Sequence, residues 1–243
     1  MNGEHTALRG RRVKAVVFDL DDTLVTSTVD YVKFRRLIIE RIALEGVDPG
    51  SYNDSENIVT LLRRYREWME GTGTTEDEIV VRMAAMDRIM DAVEMERVDE
   101  TRPIDGAREV LTLLKRKGIR IGILTRGCQE YAEKALSAAG LKDLVDAVET
   151  RNSTLRPKPD PESYFRIASI LGVGKDETLF VGDHIIDADC AMNAGVPFVG
   201  VLSGSVSREV LLESGSVEVF ETVGEMVPWL EEMLQQPNKE RLA

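Results

Sequence analysis

The chain alternates between short β-branched segments and segments with helical spacing, and this alternation limits the possible folds more than any other feature. Buried strands are predicted at residues 13–18, 119–124, 178–181 and 198–201, because each is a short apolar run bounded by polar or turn-forming residues. Segments with helical spacing separate the later strands. Strands that alternate with helices are typical of a parallel, doubly wound α/β sheet, so we predict an α/β fold with a Rossmann-like core.

The region from about residue 30 to residue 100 breaks this alternation, because no segment in it has the character of a strand. Three segments there have helical spacing, at residues 31–44, 55–69 and 76–98. Met83, Met86 and Met90 recur every three or four residues in the third segment, and we expect them to contribute to a local apolar core. A helical domain is therefore predicted to be inserted after the first strand.

The change of pattern sets the predicted domain boundaries. The predictions are a Rossmann-like catalytic core at residues 10–26 and 102–235, a helical cap domain at residues 27–101 and a flexible tail at residues 236–243. The connections near residues 25–27 and 101–103 are predicted hinges, on which the cap opens and closes.

The composition excludes several kinds of partner. The 243 residues include 43 Asp and Glu against 31 Lys and Arg, and the formal net charge of −12 repels nucleic acid and anionic membrane. No apolar run approaches the roughly 20 residues of a membrane helix, and residues 1–12 lack the apolar stretch of a secretory signal. Cys128 and Cys190 have no metal-like spacing. We expect a cytoplasmic protein, and its oligomeric state does not follow from the sequence.

Polar side chains follow several predicted strands at the point where each strand ends. They are Asp19 and Asp21 after the first strand, Thr125 and Arg126 after the second, Lys158 in a later loop, and Asp183 and Asp187 after the strand at 178–181. The carboxyl ends of parallel strands meet at one sheet edge, where ligands bind. Two carboxylates about 4 Å apart repel by about 4 kcal/mol at an effective dielectric of 20, so such a group favours a bound cation. Oxygen ligands of this kind suit Mg²⁺.

The motifs at these strand ends resemble the four motifs of the haloacid dehalogenase superfamily in order and spacing. The matching segments are Asp19-Leu20-Asp21-Asp22-Thr23, Thr125, Lys158 and Gly182-Asp183-His184-Ile185-Ile186-Asp187. More narrowly, the chain resembles the phosphoglycolate phosphatase-like branch, which has a helical cap after the first motif. The resemblance implies a Mg²⁺-dependent phosphatase that hydrolyses a small phosphorylated metabolite through an aspartyl-phosphate intermediate.

The resemblance also implies the catalytic and metal-binding roles. Asp19 is the expected nucleophile and a Mg²⁺ ligand. Asp21 is the expected general acid and base, and its backbone carbonyl is a further metal ligand. Asp183 is the second carboxylate ligand of the metal.

The remaining motif residues are expected to hold the phosphoryl group or to support the site. Thr125 and Lys158 would bind phosphoryl oxygens, with Lys158 also limiting the repulsion between Asp19 and the incoming phosphate. Thr23 would steady the first loop, and Asp187 would orient Lys158 or a metal-bound water from outside the ligand shell. Arg126 stands where the family often has Asn; binding of a substrate anion is predicted for it, and a plain surface arginine is the alternative.

Two further motif positions depart from the family pattern. Asp22 stands where Gly is frequent, and the sequence gives it no role. His184 stands where a small hydroxyl residue is common, and we interpret it as a packing or loop residue.

Several alternatives share parts of this pattern. A dehalogenase uses the same nucleophile without a metal, but Asp21 and Asp183 favour a phosphate substrate. A phosphomutase shares all the core motifs and stays open as an alternative. A receiver-like signalling protein, which is phosphorylated on an Asp near Mg²⁺, is usually about half this length and has no inserted helical cap. A non-catalytic binding protein on this fold is the remaining alternative.

Overall fold

The computed structural model divides the chain into two compact units. The described residues are 12–48, 50, 52, 56–154 and 156–235. One unit comprises Met1–Ser27 and Asp99–Ala243, and the other comprises Thr28–Val98. The predicted tail at residues 236–243 and the predicted start of the core at residues 10–11 lie outside the described residues.

A six-stranded sheet forms the centre of the first unit. Its strands are β1 (Ala15–Phe18), β2 (Arg120–Leu124), β3 (Ala147–Glu149), β4 (Thr178–Gly182), β5 (Phe198–Val201) and β6 (Glu218–Phe220). The order across the sheet is β3-β2-β1-β4-β5-β6, and every neighbouring pair is parallel. The predicted α/β fold with a parallel, doubly wound sheet is confirmed.

The second unit is helical over its described residues, which contain no strand. Its helices are α1 (Tyr31–Ala43), α2 (Ile58–Gly71) and α3 (Glu76–Met95). Thr75 and Glu78 form a capping box at the start of α3, which fixes that end of the helix. Met86 and Met90 lie in an apolar core shared by the three helices, and Met83 packs against it, as predicted from their spacing.

Helices cover both faces of the sheet in the first unit. They are α4 (Ala107–Arg116), α5 (Gln129–Ala138), α6 (Pro161–Ile170), α7 (Ile185–Ala194), α8 (Arg208–Glu213) and α9 (Met226–Gln235). Ala15 and Val17 of β1 pack in a core that includes residues of α6 and α7. Val16 and Phe18 point to the opposite face and are also fully buried. This burial on both faces explains why β1 is a continuous apolar run.

The sequence missed or misplaced some helices. Helix α8 was not predicted, because only Leu211 of its six residues is buried and so short a segment shows no clear period. Helix α3 ends at Met95 rather than at residue 98, and a separate 3₁₀ turn follows at Val98–Glu100.

Within the described residues, no helix combines the length and the apolar character needed to cross a bilayer.

The sheet order places the ends of β1 and β4 side by side. Strands β2 and β3 continue from β1 in one direction, and β4 to β6 continue in the other, so the chain order reverses between β1 and β4. Open α/β sheets bind ligands at such a reversal, beyond the carboxyl ends of the strands.

Candidate active site

The segments that follow β1, β2 and β4, and the longer segment between β3 and α6 that contains Lys158, carry the predicted site residues. The Asp19 amide donates to the carbonyl of Val181 at 2.8 Å, which extends the pairing of β1 with β4 by one residue. The Thr125 amide donates to the carbonyl of Glu149 at 3.0 Å and extends the pairing of β2 with β3 in the same way. Asp19 and Thr125 are therefore positioned by the sheet itself.

Lys158 lies at the centre of the site. Its side chain is 2% exposed, and its ammonium group donates to Asp19 Oδ1 at 2.5 Å and to Asp187 Oδ1 at 2.6 Å. Burial alone would lower the pKa of Lys158, but the carboxylates of Asp187 and Asp19 outweigh burial and raise it, so the ammonium group stays charged. The same ammonium lies 5.7 Å from the centre of the Phe180 ring.

Asp19, Asp183 and Asp187 form a buried group that we call the carboxylate cluster. Each offers an oxygen within 4.8 Å of the oxygens offered by the others. Burial raises the pKa of Asp19 well above its ordinary value against the opposing charge of Lys158, and neighbouring carboxylates add to the rise. Burial, followed by the charge of Asp187, raises the pKa of Asp183 to about 8. Burial, together with the neighbouring carboxylates, therefore disfavours the ionised forms of Asp19 and Asp183 despite the charge of Lys158.

The ligand chemistry of the carboxylate cluster suits a hard divalent cation. Its donors are all carboxylate oxygens, which Mg²⁺ prefers to nitrogen or sulfur. A second positive charge would offset both the desolvation of the ionised Asp19 and Asp183 and their repulsion by neighbouring carboxylates.

Thr23 and Gly204 hold Asp183 from two sides. The Thr23 hydroxyl donates to Asp183 Oδ1 at 2.8 Å and is fully buried. A Cβ atom at Gly204 would lie 1.9 Å from Asp183 Oδ2, so the loop after β5 passes directly against this carboxylate. Any side chain at position 204 would displace Asp183.

Asp187 and His184 are fixed by the first turn of α7. Asp187 Oδ2 accepts from the His184 amide at 3.2 Å, while Oδ1 accepts from Lys158. His184 Nδ1 in turn accepts from the Ile186 amide at 3.2 Å, and burial lowers the pKa of the imidazole. His184 is thus the cap of α7, which agrees with its interpretation as a structural residue.

The structure places Thr125 and Arg126 in one loop but in different surroundings. Thr125 is buried, and its hydroxyl oxygen accepts from the Gly127 amide at 2.9 Å. The Arg126 guanidinium donates to the backbone carbonyl of Lys158, and its own carbonyl accepts from Arg151 at 2.5 Å. Arg126 therefore ties the Thr125 loop to the backbone that carries Lys158.

Asp22 adopts a backbone conformation that explains the family preference for Gly. Its φ angle is +53°, in the left-handed region that Gly adopts at little cost and that Asp tolerates better than most residues. The Asp22 side chain accepts from the Ser27 amide at 2.9 Å, and its carbonyl accepts from the Ser203 hydroxyl at 2.6 Å. Asp22 thus fastens the first loop to the segment that leads towards Thr28.

Three residues of the site were not found from the sequence. Ser203 and Gly204 follow β5, and applying the strand-end rule to that strand would have found them. The third is Tyr131 in α5, whose hydroxyl donates to Asp21 Oδ1. No sequence signal links Tyr131 to a residue 110 positions away.

Comparisons with known proteins agree with this geometry. A sequence model described as haloacid dehalogenase-like hydrolase matches residues 16–201. A phosphoglycolate phosphatase of Rhodospirillum rubrum is 29% identical over 232 residues, which cover 94% of this chain and 95% of that protein. Validoxylamine A 7'-phosphate phosphatase of Streptomyces hygroscopicus subsp. limoneus is 30% identical over 206 residues, which cover 83% and 91%.

Solved structures show the same similarity. The crystal structure of a hydrolase from Pseudomonas syringae superposes with a TM-score of 0.65 at 25% identity, covering 90% of this chain and 98% of that chain. The family match spans both the core and the inserted helices. The chain belongs to the haloacid dehalogenase-like hydrolase family.

Proposed function

We propose that this enzyme is a Mg²⁺-dependent phosphatase, which hydrolyses a small phosphorylated metabolite through an aspartyl-phosphate at Asp19. The observation that carries the proposal is the pairing of buried Asp19 with the Lys158 ammonium at 2.5 Å, inside the carboxylate cluster. A carboxylate held by a fixed positive charge at a strand end suits covalent attack on a phosphoryl group. The relatives named above as phosphatases support this class of reaction.

The proposed Mg²⁺ ligands are the side chains of Asp19 and Asp183 and the backbone carbonyl of Asp21. Asp187 stays outside this set because both of its carboxylate oxygens already accept hydrogen bonds, Oδ1 from Lys158 and Oδ2 from the His184 amide. A bound Mg²⁺ would supply positive charge that offsets the negative charge of the substrate phosphoryl group.

The first half of the reaction transfers the phosphoryl group to the enzyme. A carboxylate oxygen of Asp19 attacks phosphorus and forms a new P–O bond, while the bond from phosphorus to the leaving oxygen breaks. Asp21, in its protonated form, gives its proton to the leaving oxygen, and the alcohol departs. Lys158 and the Thr125 hydroxyl bind phosphoryl oxygens during the transfer.

The second half of the reaction releases phosphate. Asp21, now a carboxylate, takes a proton from a water molecule as that water attacks phosphorus. The bond between phosphorus and Asp19 breaks, which yields inorganic phosphate and restores the Asp19 carboxylate. Asp21 is protonated again and ready for the next substrate.

Thr23, Asp187 and Arg126 are proposed to support these steps. Thr23 orients Asp183, and Asp187 orients Lys158, each through a direct hydrogen bond. The contact between Arg126 and the Lys158 carbonyl favours a role in holding Lys158 in place, besides the predicted binding of a substrate anion.

We assign the choice of substrate to the helical cap domain predicted at residues 27–101. The two relatives named above act on phosphoglycolate and on validoxylamine A 7'-phosphate by their names, so related enzymes differ in substrate. The class of substrate proposed here is therefore a small phosphate monoester.

A cytoplasmic location is also proposed, and the small number of cysteines supports it.

The proposal is tested by phosphate release from an aryl phosphate and from a panel of phosphorylated metabolites. Activity should require Mg²⁺ and disappear with EDTA. Asp19→Asn should abolish turnover, whereas the same change at exposed Asp143 should leave it intact. Mg²⁺-dependent turnover by the Asp19→Asn variant would contradict the nucleophile assignment.

The same assay separates the phosphomutase alternative. A phosphatase releases alcohol and inorganic phosphate in equal amounts. A phosphomutase instead passes the phosphoryl group to a second hydroxyl of the substrate, so isomerised phosphate ester would form without inorganic phosphate. Membership of the haloacid dehalogenase-like hydrolase family removes the receiver-like alternative.

A further inference from the structure

Tyr131 contacts the residue proposed as general acid and base. It lies in the first turn of α5, its side chain is fully buried, and its hydroxyl donates to Asp21 Oδ1. Asp21 itself is half-buried. A hydroxyl that donates to one carboxylate oxygen limits the rotation of the carboxyl group and favours placing the proton on the other oxygen.

The Tyr131 ring is held by the loop that carries Thr125. A Cβ atom at Gly127 would lie 2.7 Å from Tyr131 Cδ1, so the ring rests on the Gly127 backbone. The Tyr131 amide donates to Cys128 Sγ at 3.4 Å, which fixes the start of α5 beneath the ring. Because the Gly127 amide also donates to the Thr125 hydroxyl oxygen, one short segment positions both Thr125 and Tyr131.

We propose that Tyr131 is a positioning residue for proton transfer by Asp21. Its hydroxyl holds Oδ1, so that the other oxygen of Asp21 gives its proton to the leaving oxygen as the bond to phosphorus breaks. Tyr131 keeps its own proton throughout, and the atoms and charges of the proposed reaction are unchanged. This inference rests on the proposed function, in which Asp21 is the general acid.

Leaving-group dependence gives the test. A nitrophenolate leaves readily without a proton, whereas an alkoxide requires one, so loss of acid catalysis slows alkyl phosphates far more than nitrophenyl phosphate. The quantity to measure is kcat/KM for both substrates, since it reports the steps up to loss of the alcohol. The ratio of the two values does not depend on how much of a variant is correctly folded.

Tyr131→Phe removes only the hydroxyl. General acid catalysis contributes about 10²–10⁴-fold, and misplacing the acid should forfeit part of this, so kcat/KM for an alkyl phosphate should fall about tenfold or more. For nitrophenyl phosphate, kcat/KM should stay within about twofold of wild type. Tyr164→Phe is the matched control, because Tyr164 is an equally buried tyrosine of the same unit, and its ratio should not change.

Asp21→Asn separates failure of this inference from failure of the proposed function. It should show a stronger dependence on the leaving group than Tyr131→Phe. If Asp21→Asn slows both substrates equally, the acid role of Asp21 is wrong and the inference falls with it. If Asp21→Asn discriminates between the substrates while Tyr131→Phe keeps the wild-type ratio, Asp21 is the acid and the Tyr131 proposal alone is overturned.

Discussion

Replacing Lys158 by Met removes the positive charge of the site while keeping most of the side-chain volume. The ammonium group is buried and contacts two carboxylates, Asp19 and Asp187, at 2.5 and 2.6 Å. Removing one partner of a buried ion pair typically costs 3–5 kcal/mol, because the other charge stays buried without compensation. We expect Lys158→Met to be folded but clearly less stable than wild type when no metal is bound.

The size of the loss follows from the protons that the carboxylate cluster takes up. Burial already raises the pKa of Asp19, and it raises that of Asp183 to about 8, so both bind protons more readily when folded than when unfolded. Without the ammonium group we expect about one further proton to bind. Protonating a carboxyl group with an ordinary pKa near 4 costs roughly 4 kcal/mol at pH 7 and about 1.5 kcal/mol at pH 5.

The pH dependence has a definite sign. A carboxyl group whose pKa is raised in the folded state stabilises the protein at low pH, and this contribution is lost as pH rises towards the folded pKa. The deficit of Lys158→Met relative to wild type should therefore grow by about 2–3 kcal/mol between pH 5 and pH 7.

Urea unfolding of wild type and variant in EDTA, at pH 5 and pH 7, measures this deficit. Lys115→Met is the matched control, since Lys115 binds Asp146 at 2.6 Å but both side chains are about one third exposed. Screening by solvent limits its loss to under about 1 kcal/mol at either pH. A Lys158→Met deficit that is equal at pH 5 and pH 7 would refute the reasoning, because it would come from packing rather than from charge.

Three further predictions concern the first loop, the connections and the metal. Asp22→Ala keeps the left-handed backbone but loses the hydrogen bond from the Ser27 amide, so the free energy of unfolding should fall by about 1–2 kcal/mol. Asp22→Gly should lower it by less than about 1 kcal/mol, because Gly adopts this backbone at little cost. Equal losses in the two variants would contradict the assigned backbone cost. Hydrogen exchange near residues 25–27 and 101–103 should slow when Mg²⁺ and vanadate are added, and unchanged rates would count against the predicted hinges. Mg²⁺ at about 100 times its dissociation constant should stabilise wild type by about 2.7 kcal/mol, and Asp183→Asn should reduce this. Protons compete with the metal for Asp183, whose pKa is raised to about 8, so the apparent Mg²⁺ affinity should rise between pH 6 and pH 8. An affinity that does not change with pH in thermal-shift titrations would contradict this site.

The sequence predicted the parts of the fold and site that depend on regular patterns. Asp19, Thr125 and Asp183 were found because parallel strands end at one edge, and the structure does extend β1 and β2 through Asp19 and Thr125. Lys158, which lies in a loop rather than at a strand end, contacts both Asp19 and Asp187 at this edge. The catalytic roles of these residues remain predictions that the experiments above test.

The missed features depend on contacts that have no sequence period. The Tyr131 hydroxyl contacts Asp21, which is 110 residues away in the sequence. Gly204 lies against Asp183 because the loop after β5 packs on the loop after β4. The φ angle of Asp22 does not follow from the residue itself, because Asp, unlike Gly, does not mark a left-handed position. The contact of Arg126 with the Lys158 carbonyl, likewise, follows from the path of a loop rather than from its residue type.

Trapping the covalent intermediate tests the central claim most directly. Borohydride reduces an aspartyl-phosphate to homoserine, so enzyme quenched during turnover and then reduced should contain homoserine at position 19, as shown by mass spectrometry of the peptide around Phe18 and Leu20. The modification should require both Mg²⁺ and substrate. Reduction at another aspartate, or an unmodified Asp19 under conditions of rapid turnover, would contradict attack by Asp19.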